Sequence, residues 1–154
     1  MIRFGVLIVL AVAACGQSLE LSGVAVDSGS ANILRIVLHP RDEKPLAALQ
    51  WELALPAELH LAAADVVLGS VAESAEKSLT CVARKTIDGQ TTCACILAGG
   101  VKPVGEGTIA IAKFTVSKDA HKGQTKVHLQ RIWGVSLDSI KLQIPDVSAV
   151  VAIR

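Results

Sequence analysis

The chain has 154 residues, 51% apolar but only 3% aromatic, with 15 basic and 14 acidic side chains and a formal net charge of +1. Near-neutral charge without a basic block excludes electrostatic capture of nucleic acid. The aromatic residues are only Phe4, Trp51, Phe114 and Trp133, too few for a sugar- or base-stacking platform and better suited to aliphatic sheet packing.

Arg3 precedes an apolar run from Phe4 to Ala14 that as a helix spans roughly 16 Å, about half of a bilayer core. Residues 1–14 therefore read as a signal peptide, not a transmembrane anchor. The run ends in Val12-Ala13-Ala14-Cys15, which resembles the lipobox of bacterial lipoproteins. That resemblance implies lipidation of Cys15, and Gly16 in place of Asp implies outer-membrane retention. Cleavage without lipidation is the alternative. The domain is thus expected to be exported, as an outer-membrane lipoprotein or as a periplasmic or extracellular protein. Membrane contact is expected only through an N-terminal lipid. Residues 15–18 form a short tether, and residues 19–154, about 140 in number, suffice for one domain with its own core.

From Ser18 onward the punctuation is that of an all-β protein. Leu19 to Val26 is a first short strand, closed by Ser28-Gly29-Ser30. Ile33 to His39 follows, with Leu34, Ile36 and Leu38 on one face. A charged turn between Pro40 and Pro45 leads to Ala47–Leu55, where Leu49, Trp51, Leu53 and Leu55 alternate with polar or small residues. This period of two is a strong strand signal. Pro56 to Ala64 predicts a single helical turn, then a short strand near Asp65 to Leu68, and Val71 to Lys77 another helical turn.

Two runs rich in Thr, Val, Ile and Cys flank Asp88-Gly89, a strong hairpin signal. A three-residue loop, Ile87-Asp88-Gly89 with Gly89 in the left-handed region, pairs Thr86 with Gln90 and sets Cys81 opposite Cys95. A two-residue loop would set Cys81 opposite Ile96. Facing β-carbons of a non-hydrogen-bonded pair approach disulfide distance, so the cysteines favour the longer loop and a Cys81–Cys95 bridge. Cys93 lies on the same face, opposite Ala83, and is the less favoured partner for Cys81.

After a glycine-rich loop, Thr108–Val116 turns Ala110, Ala112, Phe114 and Val116 inward, leaving Ile109 and Ile111 on the other side. Lys126–Gln130 turns Val127 and Leu129 inward. Ile140–Ile144 and Val147–Ile153 close the chain. Strands at this spacing predict a two-sheet β-sandwich of about nine strands.

No catalytic constellation emerges. The residues His39, His60, His121 and His128 are scattered over strand ends, turns and loops and read as solvated. None has a Glu at zincin spacing, and no nucleophile elbow, calcium loop or phosphate loop is present. C-x-C is not the C-x2-C of structural zinc, so neither metal nor cofactor is expected. Trp51 falls on the inward phase. Trp133 reads as exposed but alone, a weak sugar platform.

The run AALQWELALPAELHL at residues 47–61, then GTIAIAKFTV at 107–116, the turn at Gly123 and the final Val-Ala-Ile together resemble the cohesin domain over Leu19 to Arg154. The ending Leu55-Pro56 departs from the aromatic-Asp ending common in that family. No dockerin or catalytic module is expected within the 154 residues. The resemblance implies a jelly-roll sandwich and a non-catalytic scaffolding module for protein–protein attachment at the cell envelope. It implies a partner, dockerin-like or another envelope component, docked on a flat sheet face. The corresponding outward positions are Ala48, Gln50 and Glu52; Thr80, Val82 and Arg84; Thr92, Ala94 and Ile96; and Lys126, His128 and Gln130. Because the superfamily also holds carbohydrate-binding modules, polysaccharide binding linked to polysaccharide degradation is the alternative.

Overall fold

The structure, a computed structural model, describes residues 16–154 except Asp42; the segment read as a signal peptide, 1–14, and Cys15 lie outside the described residues. The described chain runs β1 (Ser18–Leu21), β2 (Val24–Val26), β3 (Ala31–His39), β4 (Leu46–Leu55), β5 (Leu59–His60), a 3-10 turn (Ala63–Asp65), β6 (Val66–Leu68), helix α1 (Ser70–Ser74), β7 (Ser78–Lys85), β8 (Thr91–Ala98), β9 (Gly107–Val116), β10 (Gly123–Ser136), β11 (Lys141–Ile144) and β12 (Val147–Ile153). One sheet has the order β1-β3-β9-β5, with β6 also on β9; the other has the order β2-β12-β10-β4-β8-β7, with β11 also on β10. The expected two-sheet sandwich is what forms.

Between the sheets lies an aliphatic core. Leu34, Ile36 and Leu38, then Leu49, Trp51, Leu53 and Leu55, then Ala110, Ala112, Phe114 and Val116, then Val127 and Leu129 are each at most 3% exposed. These are the positions that period-two alternation assigns inward. Burial of such side chains is the main stabilising term, and Leu53→Ala would cost about 2–5 kcal/mol.

Twelve strands form among the described residues, not about nine. The expected first strand, Leu19 to Val26, breaks at Ser22-Gly23: β1 pairs antiparallel with β3, whereas β2 pairs parallel with β12 in the opposite sheet. A Cβ on Gly23 would lie 2.9 Å from the Val150 carbonyl oxygen, so glycine permits the crossing. The pair Leu59–His60 on β9 is too short to leave a pattern.

Two bulges correct the inward–outward assignments. Ile36 faces Ala110 but Val37 faces Thr108, so Ile109 is an extra residue of β9 and is fully buried, contrary to its expected outward phase. In β10, Gln130 faces Glu52 and Trp133 faces Gln50, which sets Arg131 and Ile132 against Trp51 alone. Arg131 takes φ 49° there. The alternation resets by one residue, turning Ile132, Gly134 and Ser136 inward and Trp133 and Val135 outward.

Candidate functional site

The β7–β8 hairpin builds one half of the outer face of the seven-stranded sheet. At its tip the Thr86 N–H donates to the Gln90 carbonyl at 2.8 Å and the Gly89 N–H to the Thr86 carbonyl at 3.0 Å. Gly89 has φ 81°, the left-handed conformation that the three-residue loop requires. At its base the buried Lys77 ammonium donates to the Gly99 carbonyl at 2.6 Å, and burial lowers its pKa from the ordinary lysine value. Cys81 faces Cys95 and is bridged to it, with Cα atoms 4.2 Å apart. Cys93, opposite Ala83, is a free buried thiol whose Sγ lies 3.8 Å from that of Cys95. Burial pushes its pKa up.

The register carries the hairpin's outward residues onto β4 and β10 in continuous rows. Val82, Ala94, Glu52 and Gln130 form one row; Thr80, Ile96, Gln50 and Trp133 form the next. Arg84, Thr92, Ala54 and His128 form a third. A shallow trough of about 810 Å³ runs over these rows. Its lining includes Gln50, Glu52, Thr80, Val82, Arg84, Thr92, Ala94, Ile96 and Gln130. Ala48, Lys126 and His128 share the face but lie outside the trough, Lys126 because β4 has ended where it would face it.

Arg131 and Trp133 also line the trough; the sequence marks Trp133 as a lone exposed ring but assigns neither residue to the docking face. Arg131 Nη1 donates to Glu52 Oε1 at 3.3 Å and Gln130 Nε2 to Glu52 Oε2 at 3.4 Å, so both carboxylate oxygens of Glu52 have a partner within the face. Trp133 is half-buried, not openly exposed, and the Lys141 ammonium sits 3.9 Å from its ring centroid, a cation–π contact. With Val82 56% and Ile96 55% exposed, the trough combines large apolar groups with small and polar ones.

Two other regions bear on function. His39 is not simply solvated: Nε2 lies 2.8 Å from Glu20 Oε2 and Nδ1 3.3 Å from Glu106 Oε1. The Glu20 contact, then the Glu106 contact, raises its pKa above 6.5. In the five-stranded sheet, β5 and β6 pair with β9 on either side of Lys113 and Phe114, leaving a notch of about 610 Å³. Its one phenyl ring, Phe114, is 2% exposed and offers no stacking surface, and the other ring in the lining is the imidazole of His60. Among the described residues no helix is long and apolar enough to cross a membrane.

No protein-family model and no curated protein matches the sequence. Solved structures do match the fold. A non-cellulosomal cohesin from the hyperthermophilic archaeon Archaeoglobus fulgidus shares 15% identity at a TM-score of 0.71, covering 90% of this chain and 91% of that one. A type I cohesin–dockerin complex from Clostridium thermocellum matches at 12% identity and a TM-score of 0.73, covering 90% and 99%. The seventh ScaB type I cohesin from Pseudobacteroides cellulosolvens matches at 11% and 0.64, covering 90% and 92%. The chain therefore has the cohesin fold, as its strand order and late glycines led us to expect.

Proposed function

We propose that this chain is a non-catalytic attachment module of the cell envelope that docks a dockerin-like protein on the trough of its seven-stranded sheet. The observation that carries the reading is the trough itself: Val82 and Ile96 stand more than half exposed beside Ala94, Thr80 and Thr92, with Glu52 already held by Gln130 and Arg131. A flat surface of exposed aliphatic side chains rimmed by satisfied polar groups suits a protein partner. It suits polysaccharide poorly, because Trp133 is the trough's single aromatic ring beside the buried Trp51 and is covered by Lys141. Several fold neighbours are cohesins solved with dockerins, which supports the choice of partner.

The export reading rests on Arg3, the apolar run and Cys15. Metabolic labelling with a fatty acid, compared between the natural sequence and Cys15→Ala, tests it: label on the natural sequence alone supports a lipid anchor. Titration calorimetry with a panel of type I dockerin modules tests the docking reading. We expect at least one member to bind, and Val82→Asp with Ile96→Asp to abolish the heat. Binding untouched by both substitutions, or affinity for insoluble polysaccharide alone, would overturn the reading.

A further inference from the structure

The three hairpin cysteines carry an inference independent of the docking face. We propose that reduction of the Cys81–Cys95 bridge creates, with Cys93, a three-thiol site for a trivalent thiophilic oxyacid of the arsenous acid class. The three sulfurs already lie within 4.8 Å of one another, and Cys93 and Cys95 are in contact at 3.8 Å. Cys93 and Cys95 are alternate residues of one strand and point to one face, while Cys81 approaches from the strand opposite. That supplies three sulfurs around one point, with no His, Asp or Glu in the cluster.

Charge decides which ion fits. Cys93 and Cys95 are at most 1% exposed, and burying net charge in an apolar layer is costly. Three thiolates around a monovalent or divalent soft ion leave the site negative, and zinc also lacks its fourth ligand. Three neutral thiols condense with neutral arsenous acid to give three arsenic–sulfur bonds and three waters, so no charge is buried. The preceding step is equally balanced: a trialkylphosphine and one water become the phosphine oxide, while the sulfur–sulfur bond takes up two electrons and two protons. Cys81, only partly buried, is the sulfur open to that attack. In the bridged form two of the three ligands are occupied, so the redox state gates the site.

The test uses the full chain with Cys15→Ser, reduced by a water-soluble phosphine and desalted without air. Arsenite is then added and native mass spectrometry and circular dichroism are recorded. We expect one arsenic gained and three hydrogens lost per reduced chain, with the β-sheet spectrum retained, and no uptake by the unreduced chain. Adding Cys93→Ser, which keeps the bridge for folding, should weaken arsenite binding at least tenfold after reduction. Phenylarsine oxide, which needs only two thiols, should still bind that variant. Equal arsenite affinity with and without Cys93, uptake without reduction, or uptake accompanied by loss of the β-sheet signal would each overturn the proposal.

Discussion

Strand β4 has β8 of the hairpin on one side and β10 on the other, and its two neighbours reach their registers by different means. In the hairpin everything is local: Asp88-Gly89 fixes the loop, and Cys81 and Cys95 lock the pairing that the loop sets. In β10 the register is set from outside. Its 14 residues pair with β12 along the first half and with β11 along the second, and the bulge at Arg131 reconciles both with β4. A register defined by neighbours leaves little trace in the strand's own sequence, whereas one defined by a turn and a cross-link can be read directly.

Variants at four sites test this contrast. The largest effect on stability is expected from Cys81→Ser with Cys95→Ser, which frees a loop with a sequence separation of 14 residues. The chain-entropy model gives a loss of about 3 kcal/mol, measurable as a lower denaturant midpoint. If the hairpin register depends on the turn as well, the double variant still folds to the same sheet. Next, Ile96→Asp places a charge on the hairpin half of the trough; under the proposed docking, dockerin binding should fall about 30-fold, some 2 kcal/mol, with little change in thermal stability.

On the β10 side, Arg131→Gly removes the side chain from a left-handed residue, a conformation that costs an ordinary residue about 1–2 kcal/mol. Part of that gain is offset by the greater flexibility of glycine in the unfolded chain and by loss of the ion pair to the partly buried Glu52. The net expectation is a stabilisation of up to about 1 kcal/mol, whereas Arg131→Val, β-branched at positive φ, should destabilise. A loss of stability with glycine would show that the ion pair, and not the bulge, holds β10 in place.

The smallest effect is at His39, which ties β1 to β3 through Glu20 and reaches Glu106 in the loop before β9. Its folded pKa is raised above 6.5, so its contribution is fully present below about that pH and is lost as the pH rises through the folded value. The pair is substantially exposed, so the contribution is below about 1 kcal/mol. Thermal melts of the natural sequence and of His39→Gln should therefore differ at pH 5.5 and converge above pH 8.

The same contrast explains what the sequence made legible. Strands with a buried face declare themselves by alternation, so β3, β4 and β9 and most of their inward residues follow from Leu, Ile and Trp at every second position. The hairpin residues of the trough follow equally, because Asp88-Gly89 sets their phase. Trp133 and Arg131 do not follow: a bulge without glycine or asparagine gives no local sign, and the phase of Val127 and Leu129 cannot be carried past it. The break at Ser22-Gly23 is hidden for a related reason, since LELSGVAV stays apolar enough to read as one strand while its halves join different sheets.

That break has a mechanical consequence. Because β2 lies parallel to β12, tension applied between residues 24 and 154 loads their hydrogen bonds together, in shear, rather than one after another. The Arg154 N–H on the Val26 carbonyl at 2.9 Å and the Arg154–Asp27 pair at 3.4 Å extend the clamp to the last residue. Pulled in an optical trap from residues 24 and 154, the domain should resist to a high force and then yield in a single step.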